Sequence, residues 1–447
     1  MANTYLTKTF ASDSNRKTWT WSAWIKRSKL GGVQTLMTQV DGWNGNGNAG
    51  FYIIGDQLTS YNITASLNSG TDSYNRPSRY LRDVNGFYHI VVRLDTTQST
   101  ASNRCRWYVN GEQLTDFVYA NYPSLNQECN FNGGDPHGIG AHTTGTGNYF
   151  DGIMTHVYFA DGQSYAPTVF GETDASTGQW KIITVPSVTY GTHGFSILKD
   201  TNSGTDQSGQ GNNFAVTGTL TKTEDNPANV FSTMNSQANY AQQWALFENG
   251  SNYVRSAGTG EAYLASTLGI PATSGKYYAE VKYTAGGTSS QIGIVEKPFP
   301  ESASYAIGQT SADYSYQQDG QLKTNDGNES YGNAYTTGNI IGIAVDATNS
   351  KLYFSVNGVW QNSGDPTSGS TGTGAISMSA TPQSGFYFMA CAKYGGTTKN
   401  YYAWNFGNGY FQTTTVASAG TNASGNGIFE YDVPTGYTAL STKGLNL

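Results

Sequence analysis

Apolar residues along this 447-residue chain come in short runs or strict alternation, bounded by Gly, Asn, Ser and Thr. That is the pattern of strands and turns, and helical spacing is scarce. In Thr18-Trp-Thr-Trp-Ser-Ala-Trp-Ile-Lys26, the side chains of Trp19, Trp21 and Ala23 fall on one face; Tyr277-Tyr-Ala-Glu-Val-Lys-Tyr283 alternates in the same way. Such alternation predicts a strand with one face against a second sheet and the other toward water. Ile340-Ile-Gly-Ile-Ala-Val345 reads instead as a strand covered on both faces. The expected fold class is all-β.

One pattern occurs twice. His89-Ile-Val-Val-Arg-Leu-Asp95 is followed by a polar loop and then Arg106-Trp-Tyr-Val-Asn-Gly111. Ile340-Ile-Gly-Ile-Ala-Val-Asp346 is followed by a short polar turn and then Leu352-Tyr-Phe-Ser-Val-Asn-Gly358. Each copy is a strand ending in Asp, a turn, and an aromatic strand ending in Asn-Gly, the pair favoured where both turn residues need positive φ. The echo predicts two β-sandwich domains of related architecture, at 1–185 and 246–447. Between them, 186–245 contains the turn-forming run Asn202-Ser-Gly-Thr-Asp-Gln-Ser-Gly-Gln-Gly-Asn-Asn213. Phe195, Ile197, Leu198, Phe214 and Val216 look able to dock on a neighbour, so this stretch is expected as a structured, loop-rich connector rather than a loose tether.

Charge narrows the function. Charged residues make up 12% of the chain and the net charge is −7, about half the roughly 25% charged usual for soluble domains. No basic stripe is present to release counterions from phosphates, so nucleic acid is not an expected partner. No apolar run approaches the roughly 20 residues of a spanning helix, and membrane insertion is not expected. Met1-Ala-Asn-Thr-Tyr-Leu-Thr-Lys8 lacks the apolar stretch of a signal peptide. Cys105, Cys129 and Cys391 form no disulfide framework. Cys105 and Cys129 flank a predicted hairpin and could pair, but buried free thiols of a reducing cytoplasm are favoured.

Residues 1 to about 170 resemble a laminin-G-like, concanavalin-A-type jelly roll, on Thr18–Lys26, Tyr88–Val92, Trp107-Tyr-Val-Asn-Gly111 and Tyr149-Phe-Asp-Gly-Ile-Met-Thr-His-Val-Tyr158. The second half resembles a SPRY domain, on Ser274-Gly-Lys-Tyr-Tyr-Ala-Glu-Val-Lys282, Ile292-Gly-Ile294, Gly342–Asp346, Leu352–Gly358 and Asn405-Phe-Gly407. Four further stretches are similar to segments that recur in structural proteins of marine bacteriophages: Phe159–Glu172, Tyr190–Phe195 leading to Thr205–Phe214, Asp225–Phe231 and Phe429–Leu440. What the resemblance implies is a virion surface protein of tail-fibre or capsid-fibre type, made in the host cytoplasm. That would reconcile a chain expected to stay in the cytoplasm with a composition of extracellular appearance.

Catalysis finds little footing. Laminarinase-type members of the concanavalin-A fold carry Glu-x-Asp-x-x-Glu on one strand, which sets a nucleophile and an acid roughly 5 Å apart; no such segment occurs. The nearest acidic pairs, Glu296 with Glu301 and Glu430 with Asp432, are interrupted by Pro or lie near the terminus. Gly162–Ser164, Gly194–Ser196 and Gly287–Ser289 lack the second Gly of a nucleophile elbow. His137 and His142, near Asp135 in a Gly-rich loop, are expected to be solvated, while His89 and His156 are expected to satisfy hydrogen bonds within strands. The resemblance brings calcium into view through Asp41, Asp135 or Asp151 in Gly-rich loops, but no ligand and no cofactor is assigned.

What remains is recognition. Flat aromatics stack on sugar rings while amides and hydroxyls read their OH groups, and Tyr or Trp does this with little rotamer entropy lost. Trp43, Tyr74, Tyr314, Tyr316, Tyr331 and Tyr335 lie in stretches of this mixture and are the expected ligand-binding residues. The expected function is a non-enzymatic virion protein that meets host-surface glycan and other virion proteins, as a homo-oligomer for which a trimer is the guess. The alternatives are an architectural decoration protein or fibre adaptor, and a polysaccharide depolymerase.

Overall fold

The computed structural model describes residues 4–39, 49–61, 74–143, 147–199, 203–258, 261, 263–302, 304–395 and 397–446. Among these, regular structure is β-strand with short 3-10 turns, and no helix is long and apolar enough to cross a membrane. The all-β reading holds. The chain divides into two compact units, 1–222 and 223–447.

In the first unit an eight-stranded and a six-stranded sheet enclose one core. The eight-stranded sheet runs, edge to edge, Phe117–Ala120, Asn75–Pro77, Gln57–Tyr61, Ala49–Ile54, Val33–Gln39, Pro136–Ile139, Tyr5–Thr9, Ala215–Thr217. The six-stranded sheet runs Phe195–Ile197, Gly152–Asp161, Thr18–Arg27, Tyr88–Asp95, Cys105–Val109, Glu112–Gln113. Trp19, Trp21, Ala23 and Ile25 point inward together, beside Phe51, Trp107, Phe131 and Phe159. Aromatic rings here meet edge-on or offset, as at Phe51 and Trp107, whose centroids lie 5.6 Å apart at 88°.

The other face of strand Thr18–Arg27 is not wet, contrary to the alternation reading. A strap of residues 163–190 lies over it: Thr20 Oγ1 donates to the Gln163 carbonyl and accepts from Tyr165 N, each at 2.7 Å. Phe170, with Tyr165, Val169, Val188 and Tyr190, covers Val91, Tyr108 and Tyr158. Trp24 on that face stacks on His89, with centroids 4.6 Å apart.

The second unit repeats the plan. Its larger sheet carries Trp244–Glu248, Tyr253–Ser256, Tyr401–Asn405, Lys276–Ala285, Ile340–Asp346, Lys351–Val356 and Val359–Trp360 in that order. The smaller runs Tyr263–Ala265, Phe386–Lys393, Ser290–Val295, Tyr314–Gln317, Gln321–Thr324, Gly327–Ser330. Tyr277, Ala279, Val281 and Tyr283 face the core. On the outer face, Tyr278, Ala344 and Tyr353 are covered by Phe429, Val433, Tyr437 and Ala439 of a C-terminal strap. Glu280, fully buried on that face, holds the strap: Oε1 accepts from Tyr431 N (2.8 Å) and Tyr278 Oη (3.0 Å), Oε2 from Glu430 N (2.8 Å) and Asn405 Nδ2 (3.2 Å). Burial pushes this carboxyl up to about 7 against the pull of those four donors.

Residues 186–245, expected as a connector, do not form a body of their own. Phe195–Ile197 pairs with Gly152–Asp161 and Ala215–Thr217 pairs with Tyr5–Thr9, so the first part completes the first sandwich. Phe195, Ile197, Leu198 and Phe214 are buried there as expected, while Val216 is exposed. The turn-forming run is organised by Asp206, which accepts from the backbone N–H of Ser196, Ser208 and Asn212. Met234 and Trp244 belong to the core of the second unit.

Cys105, Cys129 and Cys391 are free thiols, all buried, and burial pushes each above the usual thiol range, Cys105 to about 12.

Candidate functional site

The second unit holds a cleft of about 460 Å³ beside the free edge of its smaller sheet. One wall is the hairpin of Gln321–Thr324 and Gly327–Ser330. Its two-residue turn, Asn325-Asp326, has positive φ at both positions (49° and 58°), a type I′ geometry that Asn and Asp tolerate. This turn presents Asn325 and the edge strand presents Glu329 and Ser330 to the cleft. The opposite wall comes from Asn362, at φ 53°, and from Ile376–Ser377, which pairs with Lys351–Leu352. Ser311, Thr324 and Ser379 add hydroxyls, and Tyr314 and Tyr331 add ring surface. The Tyr331 ring is held because its hydroxyl accepts from Phe354 N at 3.2 Å. The lining therefore combines aromatic and aliphatic surface with a dense set of hydroxyls and carboxamides.

The expected binding residues separate on this geometry. Tyr314, Tyr316, Tyr331 and Tyr335 are not exposed loop aromatics; all four are buried in the core of the second unit. Tyr314 and Tyr331 reach the cleft from within, while Tyr316 and Tyr335 stand behind them, their ring centroids 5.5 Å apart. The reason is period-two alternation in Tyr314-Ser-Tyr316, together with internal partners for the hydroxyls: Tyr316 donates to the Asn333 carbonyl and Tyr335 to Ser290 Oγ. Tyr74 is half-buried at the edge of the first unit's larger sheet. Its ring lies 5.2 Å from that of Tyr119, which is 55% exposed. Trp43 lies outside the described residues. Asn325, Glu329, Asn362 and Ser377 were missed, although the Asn325-Asp326-Gly327 turn signal was available.

Histidines of the first unit are structural. His89 Nδ1 accepts from Trp180 Nε1 (3.0 Å) and its Nε2 pairs with Ser22 Oγ (2.9 Å); burial pushes the ring down to about 3. His137 and His142, expected to be solvated, are buried at 1% and 4% exposure. His137 is likewise pushed down to about 3 by burial. Phe10 packs between His137 and His193, and His193 Nδ1 contacts Asn132 Oδ1 at 2.9 Å.

The acids serve local roles. Glu301 pairs with Lys297 at the surface, Glu430 accepts from Ala417 N, and Asp432 accepts from Thr421 N. Glu296 is instead close to Asp313: its N–H donates to Asp313 Oδ1 at 2.9 Å, and burial with the neighbouring Glu296 pushes Asp313 up to about 6. Among the described residues, no three His, Cys, Asp or Glu side chains converge in a metal-holding group. Asp135 accepts from Gln39 and Asp151 from Ser28, and Asp41 lies outside the described residues.

Comparison with known proteins places residues 2–169 in the family described as the concanavalin A-like lectin/glucanases superfamily, and residues 276–373 in the SPRY domain family. No curated protein matches the chain. Among solved structures, it is similar to the SPRY domain of human HERC1 (16% identity, TM-score 0.28, covering 36% of this chain and 94% of that one). It is also similar to a SAP-like pentraxin from Limulus polyphemus (13%, 0.26, 37% and 72%) and to a candidate carbohydrate-binding protein of Bacteroides ovatus (17%, 0.29, 48% and 56%). The chain thus carries a concanavalin A-like domain in its first unit and a SPRY domain in its second.

Proposed function

We propose that this chain is a non-catalytic carbohydrate-binding protein of a bacteriophage surface, with the cleft of the second unit as its saccharide site. The observation that carries the binding half is the lining: hydroxyls and carboxamides around the tyrosines Tyr314 and Tyr331, the mixture that reads polyol faces and edges. The virion half is supported by the likeness of 159–172, 190–195, 205–214, 225–231 and 429–440 to phage structural proteins. Much of that likeness falls on segments that strap the outer sheet faces. In this reading the partners are host-surface glycan and neighbouring virion proteins, and the working form is an oligomer, a trimer in a fibre setting.

The test is binding of the purified chain to isolated host envelope, set against an Asn325→Ala/Asn362→Ala variant. Loss of binding in the variant supports the site. Equal binding by both would overturn it, and absence of the chain from purified particles by mass spectrometry would overturn the virion assignment.

One observation favours a depolymerase: two acids, Asp313 with its raised carboxyl and Glu296, lie buried side by side, although neither lines the cleft. Release of new reducing ends from host polysaccharide, abolished by Asp313→Asn, would establish that reading instead.

A further inference from the structure

We infer that the cleft takes an uncharged polyhydroxylated saccharide and rejects polyanionic ones, a refinement that rests on the saccharide reading above. Of the described side chains lining the cleft, only Glu329 is charged. It stands on the exposed edge strand Gly327–Ser330, and its carboxylate makes no ion pair among the described residues. Of two lysines on adjoining strands, one is ion-paired and the other holds a lining hydroxyl. Lys323 Nζ lies 3.3 Å from Asp326 Oδ1 and over the Tyr394 ring, and Lys351 Nζ donates to Ser377 Oγ at 3.1 Å.

A uronate or sulfated chain entering this cleft would bring its charge toward an unpaired carboxylate and meet no cation in the described lining itself, the Lys351 ammonium lying outside it on Ser377 Oγ, and like charges juxtaposed across an interface disfavour the complex. A neutral sugar has the opposite fit. A pair of adjacent hydroxyls donates to the Glu329 carboxylate, while Asn325, Asn362 and the serine hydroxyls both donate and accept. Hydrogen bonds to an ionised acceptor are the stronger kind, so Glu329 is both the gate against anions and a principal contact for diols.

The experiment is calorimetry of the full chain with a neutral glucan (laminarin oligosaccharide) and a polyuronate (alginate oligosaccharide) of equal length, at low and high salt. The glucan is expected to bind with little salt dependence and the alginate not to bind. Glu329→Gln is expected to weaken glucan binding roughly tenfold, the loss of one charge-assisted hydrogen bond. Glu329→Lys is expected to admit alginate in a salt-sensitive manner. Unchanged thermal unfolding of both variants checks that the exposed strand tolerates them. Alginate binding as tight as glucan, with salt weakening it, would overturn the charge inference and leave the saccharide site standing. Failure of both sugars with the folded wild-type chain would overturn the saccharide reading and this inference with it.

Discussion

The two Val-Asn-Gly hairpins are the same device in two settings. Asn110 and Gly111 take φ 50° and 80°, Asn357 and Gly358 take 49° and 79°. In each, the Asn side chain reaches back to cap the start of the preceding strand: His89 N donates to Asn110 Oδ1 at 2.8 Å and Ile340 N to Asn357 Oδ1 at 2.9 Å. What differs is the cover. A Cβ on Gly111 would meet the ring of Trp180, from the hairpin Gly171–Thr173 and Trp180–Ile182; on Gly358 it would meet the ring of Tyr431, in the strap held by Glu280. Local turn chemistry is thus conserved between the halves, while the aromatic lid is supplied from unrelated downstream segments and anchored by different polar groups.

The largest expected effect breaks the second lid. Glu280→Ala leaves four donors without their acceptor, and should destabilise the second unit by about 3 kcal/mol. Urea unfolding at pH 8, with amide exchange across 428–440, measures this. Next, Trp180→Ala should cost the first unit about 2 kcal/mol through lost ring contacts, and should raise the His89 pKa, which proton NMR titration reads. Gly111→Ala and Gly358→Ala should each cost about 1–2 kcal/mol from the left-handed backbone alone. Trp180→Ala should partly rescue the first and leave the second untouched, a double-mutant cycle that sharpens the contrast.

The smallest effect per group is the pH response, and its sign differs between units. All five histidines lie in the first unit. With His89 and His137 lowered from 6.5 to about 3 when folded, their stabilisation is present above pH 6.5 and is lost as pH falls toward 3. From pH 7 to 6 each should contribute a loss of under about 1 kcal/mol. In the second unit Glu280 and Asp313 are raised, from 4.5 to about 7 and from 3.8 to about 6. Their protonated forms favour the fold, so that stability is lost as pH rises through those values. Two resolved calorimetric transitions should move in opposite directions with pH; parallel movement would refute the comparison.

The hairpins were legible because Asn-Gly carries its own conformational requirement in two residues. Strand Thr18–Arg27 was legible on its inward face, since Trp19, Trp21 and Ala23 repeat at the sheet's period, but not on its outward one. Thr20 and Ser22 look solvated in sequence and are buried because the strap and His89 satisfy them. The tyrosines misled for the same reason. Tyr316 and Tyr335 sit among Ser, Gln, Asn and Gly and so read as exposed loop, while partners distant in sequence make their hydroxyls cheap to bury. At the cleft only the Asn325-Asp326-Gly327 turn carries a local signal, and it went unread; the wall at Asn362 and Ser377 is brought to it by tertiary packing, which no local pattern announces.

The three sealed sulfur atoms give the molecule built-in clocks. Cys105 and Cys129 lie inside the first sandwich and Cys391 inside the second, each too protonated and too enclosed to react while its own sandwich stays shut. An alkylating reagent followed by peptide mass analysis would therefore time the opening of each half separately in the unmodified chain, without a label or an engineered probe.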